Sequence, residues 1–154
     1  MIIDIDKFCR KLVADAPDGI AYSGADGLIR FWNHSSERIF VFSQSDALGK
    51  TLNIIIPQQL RKRHWDGYAR TMRTGATRYG SGDVLAVPAM RRDGFRISVE
   101  FTILPFADQD GQMIGIAVIF RDVSSRFKEI KNLRAKLAIA QGGSAAVSDT
   151  NRTR

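Results

Sequence analysis

The residues with the clearest chemical potential are a histidine and a glycine in a basic stretch, Gln59 to Gly75. At helical spacing both belong to an otherwise apolar stripe formed by Leu60, His64, Gly67, Tyr68 and Met72. The charged residues around that stripe are Arg61, Lys62, Arg63, Arg70, Arg73 and one acid, Asp66. We expect the imidazole, with room beside it, to bind a flat and bulky ligand whose acidic groups pair with the cations. The alternative is a half-exposed histidine on an ordinary packing helix.

A single helix is predicted to carry these residues. Pro57 is compatible with the start of the helix, where a missing N–H costs nothing, and Gly75 can end it in a left-handed conformation. The preceding residues 51–57 are predicted to form a tight apolar connector into this helix.

Composition and charge exclude several classes of protein. The length of 154 residues is typical of a single domain, and 44% of the residues are hydrophobic and 25% charged. No apolar run approaches the ~20 residues that span a bilayer, and acidic residues occupy the start, where a secretory signal would be basic. We therefore expect a cytoplasmic protein without membrane contact. The single cysteine, Cys9, excludes an internal disulfide and a cysteine-cluster metal site.

The net charge of +7 favours anionic partners. Direct nucleic-acid binding is not expected, because the sequence has no helix-turn-helix, zinc framework or aromatic-rich sheet signature. An enzyme is not expected either, because no acid/base pair, Ser-His-Asp order or phosphate loop is found.

The first part of the chain is predicted to form a helix, a hairpin and two short helices. Asp4 or Asp6 is placed to cap a helix through Ala14. The runs 19–23 and 28–32 flank a Gly/Asp turn and predict a hairpin. Asn33 or Ser35, and then Ser43 or Ser45, precede two further short helices. Trp32 and Asn33 are expected to tie the hairpin to the first of these helices.

The second part predicts three strands and an exit helix. Residues 77–87 form the first strand, residues 96–103 alternate apolar and polar, and residues 113–120 read as a central strand. The expected fold is therefore of the α+β class. It has a five-stranded antiparallel sheet with helices on one face and a flanking helix at each end. A cavity is expected between the long helix and the apolar face of residues 97–103.

The exit helix shows a narrow apolar seam. Its members recur at intervals of three and four residues: Val123, Phe127, Ile130, Leu133, Leu137 and Ala140. Such a seam favours either a partner helix or docking back on the domain. The boundaries we predict are an N-terminal flanking helix at 1–16, a central domain at 17–123, a C-terminal helix at 124–141 and a disordered tail at 142–154.

Several short motifs resemble the PAS family. They are Asp18-Gly19-Ile20, Asp26 to Asn33, Glu37 to Phe40, Ala47 to Lys50, Arg92-Asp93-Gly94, Gly115-Ile116-Ala117 and Arg121 to Ser124. The resemblance covers roughly residues 8–140. It implies a stand-alone sensory or dimerisation module that has no catalysis of its own and signals through its flanking helices. Its implied partners are a second copy and a signalling protein such as a histidine kinase or response regulator.

Within that family, the long helix looks like that of FixL-type haem-binding sensors. Counting back from Thr74-Gly75, His64 falls at the histidine that bonds haem iron, and Arg70 at the partner of a haem propionate. Trp65 departs from the pattern and displaces the Asp-Gly-Tyr run by one residue. Leu85 stands where those sensors carry the arginine that contacts bound gas.

The resemblance therefore implies haem b, with His64 as the metal ligand. The cofactor-binding residues are His64, Arg70, Tyr68, Leu85, Phe101 and Ile103. An apolar distal side would suit carbon monoxide, nitric oxide or redox sensing better than oxygen. FAD or another aromatic ligand stacked on Trp65 and Tyr68, or no ligand at all, is the alternative. The light-sensing variety is rejected, because Cys9 is far from the start of the long helix.

Overall fold

The sheet is antiparallel and has five strands. The computed structural model describes residues 3–78 and 84–149. Within them the strands are β1 Gly19–Gly24, β2 Ile29–Trp32, β3 Leu85–Met90, β4 Arg96–Ala107 and β5 Met113–Asp122. Their spatial order is β2-β1-β5-β4-β3, so β5 is the central strand. The expected α+β class is confirmed, as is the prediction of a central strand from 113.

The helices begin at the capping residues that the sequence indicates. They are α1 Ile5–Asp15, α2 His34–Phe40, α3 Gln44–Ala47, α4 Gln58–Thr74 and α5 Ser124–Asp149, with a 3₁₀ turn at Leu52–Ile54. The side chains of Asp4, Asn33 and Ser43 each accept a hydrogen bond from the first turn of α1, α2 and α3. Gly75 ends α4 with a φ of 69°, the left-handed conformation predicted for it.

Trp32 and Asn33 connect the first hairpin to the helices, as predicted. The Trp32 indole donates to the Phe42 carbonyl at 3.1 Å. The Asn33 amide oxygen accepts from the Ile20 N–H at 2.8 Å, and its nitrogen donates to the carbonyls of Val13 and Asp18. Because Asn33 is buried, these bonds fix the end of α1 against the start of α2.

The third strand differs from its predicted position. We expected a strand over residues 77–87, but β3 runs from Leu85 to Met90 and pairs with β4. Residues 79–83 of the predicted strand lie outside the described residues. Pairing explains the shift, since Met90 lies opposite Arg96 and the Asp93-Gly94 turn sets this register.

The chain divides into two compact units, residues 1–122 and 123–154. In the second unit α5 is helical through Asp149, so residues 142–149, which the sequence predicts as a disordered tail, continue the helix. A glycine inside a helix costs only about 1 kcal/mol relative to alanine, and alanines follow the Gly142-Gly143 pair. Residues 150–154 lie outside the described residues. None of the helices in the described ranges has the length and apolarity that a membrane span requires.

Candidate functional site

A cavity of about 840 Å³ lies between α4 and the inner face of the sheet. This is the position expected from the alternation in β4, and the volume is within the range of small-molecule and cofactor sites. Every strand residue that lines it within the described part of the chain is apolar. These residues are Leu85, Ala86, Val87, Pro88, Ala89, Val99, Phe101, Ile103, Ile116, Val118 and Phe120. The sheet side therefore presents hydrocarbon surface to any ligand.

Tyr68 anchors α4 to the first hairpin. Its hydroxyl donates to the Gly24 carbonyl at 2.5 Å and lies 3.2 Å from the Ser23 carbonyl. Burial raises the pKa of this phenol to about 12, so it remains a donor. Tyr68 lines the cavity with its ring while its polar atom is used on the hairpin side.

Trp65 provides a second anchor on the same side of α4. Its indole N–H donates to the Asn53 amide oxygen at 2.9 Å. Its ring covers Gly27, which has a φ of 76°, and a Cβ added there would lie 2.7 Å from the ring. Only glycine combines this backbone conformation with so close an approach. The residue that departs from the FixL-type pattern thus packs on the hairpin and leaves the cavity open.

His64 lies beside these two aromatic residues. Its ring centroid is 4.8 Å from that of Trp65 and 6.0 Å from that of Tyr68. The Nε2 atom is buried, and none of the described residues supplies it with a hydrogen-bond partner. Burial lowers the pKa of His64 from 6.5 to about 4, so the imidazole is neutral at neutral pH. A buried polar nitrogen without a partner costs stability and calls for an explanation.

The cations of α4 have different roles. Arg61 donates to the carbonyls of Ile56 and Asn53, both at 3.1 Å, and so fixes the connector before α4. Lys62 pairs with Asp66 at 2.7 Å. Arg63 and Arg70 line the cavity and have no ion-pair partner within the described ranges. The rim of the cavity therefore carries positive charge that the described residues do not neutralise.

All six residues predicted to contact a cofactor line this one cavity: His64, Tyr68, Arg70, Leu85, Phe101 and Ile103. Sequence reasoning did not assign a site role to Thr71, which is buried and also lines the cavity. Its helical offset of seven residues from His64 is a signal that was available. Cys9 is exposed on α1. Among the described residues no group of three or more His, Cys, Asp or Glu is arranged to hold a metal ion.

The buried imidazole makes stability depend on pH. In the unfolded chain His64 takes up a proton near its ordinary pKa of 6.5, whereas the folded chain resists protonation until about pH 4. The free energy of unfolding should therefore fall as the pH falls through this window, by up to ~3 kcal/mol from this residue. Urea unfolding at pH 7 and pH 4.5 should show that the free energy of unfolding decreases less in His64→Gln than in the wild type. Equal losses in both proteins would contradict the buried neutral imidazole.

Comparison with known proteins agrees with this architecture. The FixL sensor protein of Bradyrhizobium diazoefficiens is 30% identical over 94 residues, which are 61% of this chain and 18% of that protein. The chain thus spans less than a fifth of the length of this relative. The PAS domain of a Colwellia psychrerythraea protein has a TM-score of 0.69 at 21% identity, covering 79% of this chain and 99% of that one.

A second solved structure, an RNA-binding light-oxygen-voltage receptor, has a TM-score of 0.68 at 15% identity and covers 91% of this chain and 39% of that one. At these identities the two structures share the fold alone. The family model described as the PAS fold matches residues 13–127, well over half of the chain. The chain therefore belongs to the PAS-fold family.

Proposed function

We propose that this PAS domain binds haem b through His64 and passes a gas or redox signal to a partner protein. The observation that carries the proposal is the buried Nε2 of a neutral imidazole, which has no partner among the described residues and lies at the wall of an apolar cavity. A neutral imidazole is the protonation state that binds a metal. The 30% identity over 94 residues to a FixL sensor protein supports a sensory role.

Binding of iron requires a rotation of the His64 side chain. Because Nε2 is itself buried, it does not reach open cavity space in the rotamer described. Rotation of the imidazole by half a turn about its Cβ–Cγ bond exchanges Nε2 with Cε1, and this torsion is soft in histidine. The unpartnered nitrogen has no hydrogen bond to lose within the described residues, so the rotation is inexpensive.

Space for a flat ligand is available one turn along α4. Gly67 lines the cavity, and a Cβ added to it would meet no atom of the described residues within 4 Å. A glycine in a helix interior is destabilising by roughly 1 kcal/mol relative to alanine. The fit of the site to a porphyrin therefore rests on a neutral imidazole, an open position beside it and cations at the rim.

The sheet side of the cavity determines which signal suits the site. When bound, haem supplies an iron that takes a diatomic gas or changes oxidation state. Leu85, Phe101 and Ile103 offer no hydrogen-bond donor from their side chains. Bound oxygen is favoured by a polar distal contact, so carbon monoxide, nitric oxide or a redox change is the better match.

The pairing of β4 with β5 indicates how a change at the cavity would reach α5. Phe101 and Ile103 lie opposite Phe120 and Val118 in the ladder that joins β4 to β5. Strand β5 ends at Asp122, and α5 begins at Ser124. A ligand that displaces β4 would thus act on the segment that leads into α5. The proposed output is a homodimer through the flanking helices that engages a signalling partner such as a histidine kinase or response regulator.

Titration with haemin tests the proposal. The wild-type protein should develop a Soret band distinct from that of free haemin, because the imidazole of His64 would bind the iron. His64→Gly should lose this band and regain it when free imidazole is added. The controls are His34→Ala, which removes the other histidine from an exposed position on α2, and Cys9→Ala. A wild-type spectrum equal to that of free haemin would leave a ligand-free interaction module, or one that binds a flavin, as the function.

Substitution of Gly67 separates binding from folding. Gly67→Leu should raise the free energy of unfolding by about 1 kcal/mol, because leucine is a far better helix former than glycine. The same side chain should weaken haemin binding by filling the space beside His64. Ala69→Leu adds an identical side chain at an exposed position of α4 that does not line the cavity, and should leave binding unchanged. Unaltered binding in Gly67→Leu would contradict a ligand in this space.

The seam of α5 gives a test of self-association. Phe127, Ile130, Leu133 and Leu137 share one helical face, and Ala135 lies on the opposite face. Leu133→Lys should shift sedimentation of the full chain toward the monomer, because it places a charge in the predicted helix–helix interface. Ala135→Lys should sediment as the wild type does. An unchanged oligomer in Leu133→Lys would exclude the seam as the dimer interface.

A further inference from the structure

Two arginines that have no ion-pair partner among the described residues lie on the same side of α4, seven residues apart. Seven residues are close to two helical turns, so Arg63 and Arg70 differ by only about 20° around the axis and by ~10.5 Å along it. Both line the cavity, and both are exposed at its rim. The position they flank is Gly67, which has open space in place of a side chain.

The order of residues around α4 links these arginines to His64. At 100° per residue, the face turns from Tyr68 and His64 through Gly67 to Arg63 and Arg70. The imidazole therefore lies on the inner side of the open position and the guanidinium groups on its outer side. A flat molecule beside Gly67 would have its inner part near His64 and one edge near both cations.

The other charges on α4 do not compete for this edge. Lys62 is paired with Asp66, and Arg61 is bonded to the carbonyls of Ile56 and Asn53. Arg73 is exposed, does not line the cavity and lies about 180° from His64 around the axis. Within the described part of the chain, Arg63 and Arg70 are thus the cations of α4 that are both free and turned toward the cavity.

We propose that Arg63 is a second anion anchor, which acts with Arg70 on either side of Gly67 and makes the cavity selective for a ligand with two carboxylates on one edge. This inference rests on the proposed function, since the ligand is taken to be a porphyrin. It adds a specificity-determining residue that the resemblance does not supply. A guanidinium pairs with a carboxylate through two parallel hydrogen bonds, so two such anchors also fix the orientation of the ligand.

The experiment compares two ligands, haemin and haemin dimethyl ester, on the full chain. The ester retains the iron and the ring but carries no carboxylate. Wild-type protein should bind haemin about tenfold or more tightly than the ester, the range expected of hydrogen bonds to charged groups. Arg63→Gln and Arg70→Gln should each reduce the preference, and the double variant should reduce it further than either single variant. Arg73→Gln, which makes the same charge change on the same helix, should keep the wild-type preference.

Metal-free protoporphyrin IX distinguishes this inference from the proposed function. It has both carboxylates and no iron, and its binding can be followed by quenching of the fluorescence of the two tryptophans, Trp32 and Trp65. Its affinity should fall in Arg63→Gln, stay the same in His64→Ala and weaken with added salt in the wild type. If haemin binds through His64 but Arg63→Gln behaves as Arg73→Gln does, Arg63 is not an anion anchor. The proposal of haem binding then still stands. If haemin shows no binding at all, both proposals fail.

Discussion

The site depends on how α4 is held away from the sheet. Tyr68 and Trp65 attach the helix to the first hairpin, through hydrogen bonds to the Gly24 carbonyl and to Asn53 and through the close approach to Gly27. These contacts lie on one side of α4. On the other side, Gly67 contributes no side chain to the cavity, which is also lined by residues of β3 and β4. Fixing one side of α4 and leaving the other open is what keeps a cavity in a well-packed domain.

Burial has two consequences for His64 that act together. Removal of water disfavours the imidazolium and lowers the pKa to about 4, which leaves the nitrogen lone pair available at neutral pH. The same burial leaves Nε2 without a hydrogen-bond partner among the described residues, which makes the empty state less stable. A ligand that accepts this lone pair would relieve the second effect. The site thus combines a cost in the empty state with an apolar cavity that favours a bulky ligand.

Much of the fold could be predicted from the sequence, because its signals are local. Asn33 and Gly75 are at helix ends whose chemistry demands such residues, and the alternation in β4 places Val99, Phe101 and Ile103 on the cavity side. The start of β3 was misplaced, because it depends on pairing with β4 rather than on its own residues. The packing of Trp65 on Gly27 could not be predicted either, since these residues are distant in the chain and neither has a pattern that points to the other. The burial of Nε2 depends on a side-chain torsion that no sequence pattern specifies.

The central claim is that the nitrogen of His64 is free to bind a metal inside the cavity. Nitrogen-15 NMR of histidine-labelled protein tests it directly, since the chain has two histidines and only His64 lies at the cavity. Zinc protoporphyrin IX is a diamagnetic probe that takes one axial nitrogen. Its addition should shift the Nε2 resonance of His64 strongly and leave the His34 resonances in place. Binding of the probe without a change at His64 would contradict the account.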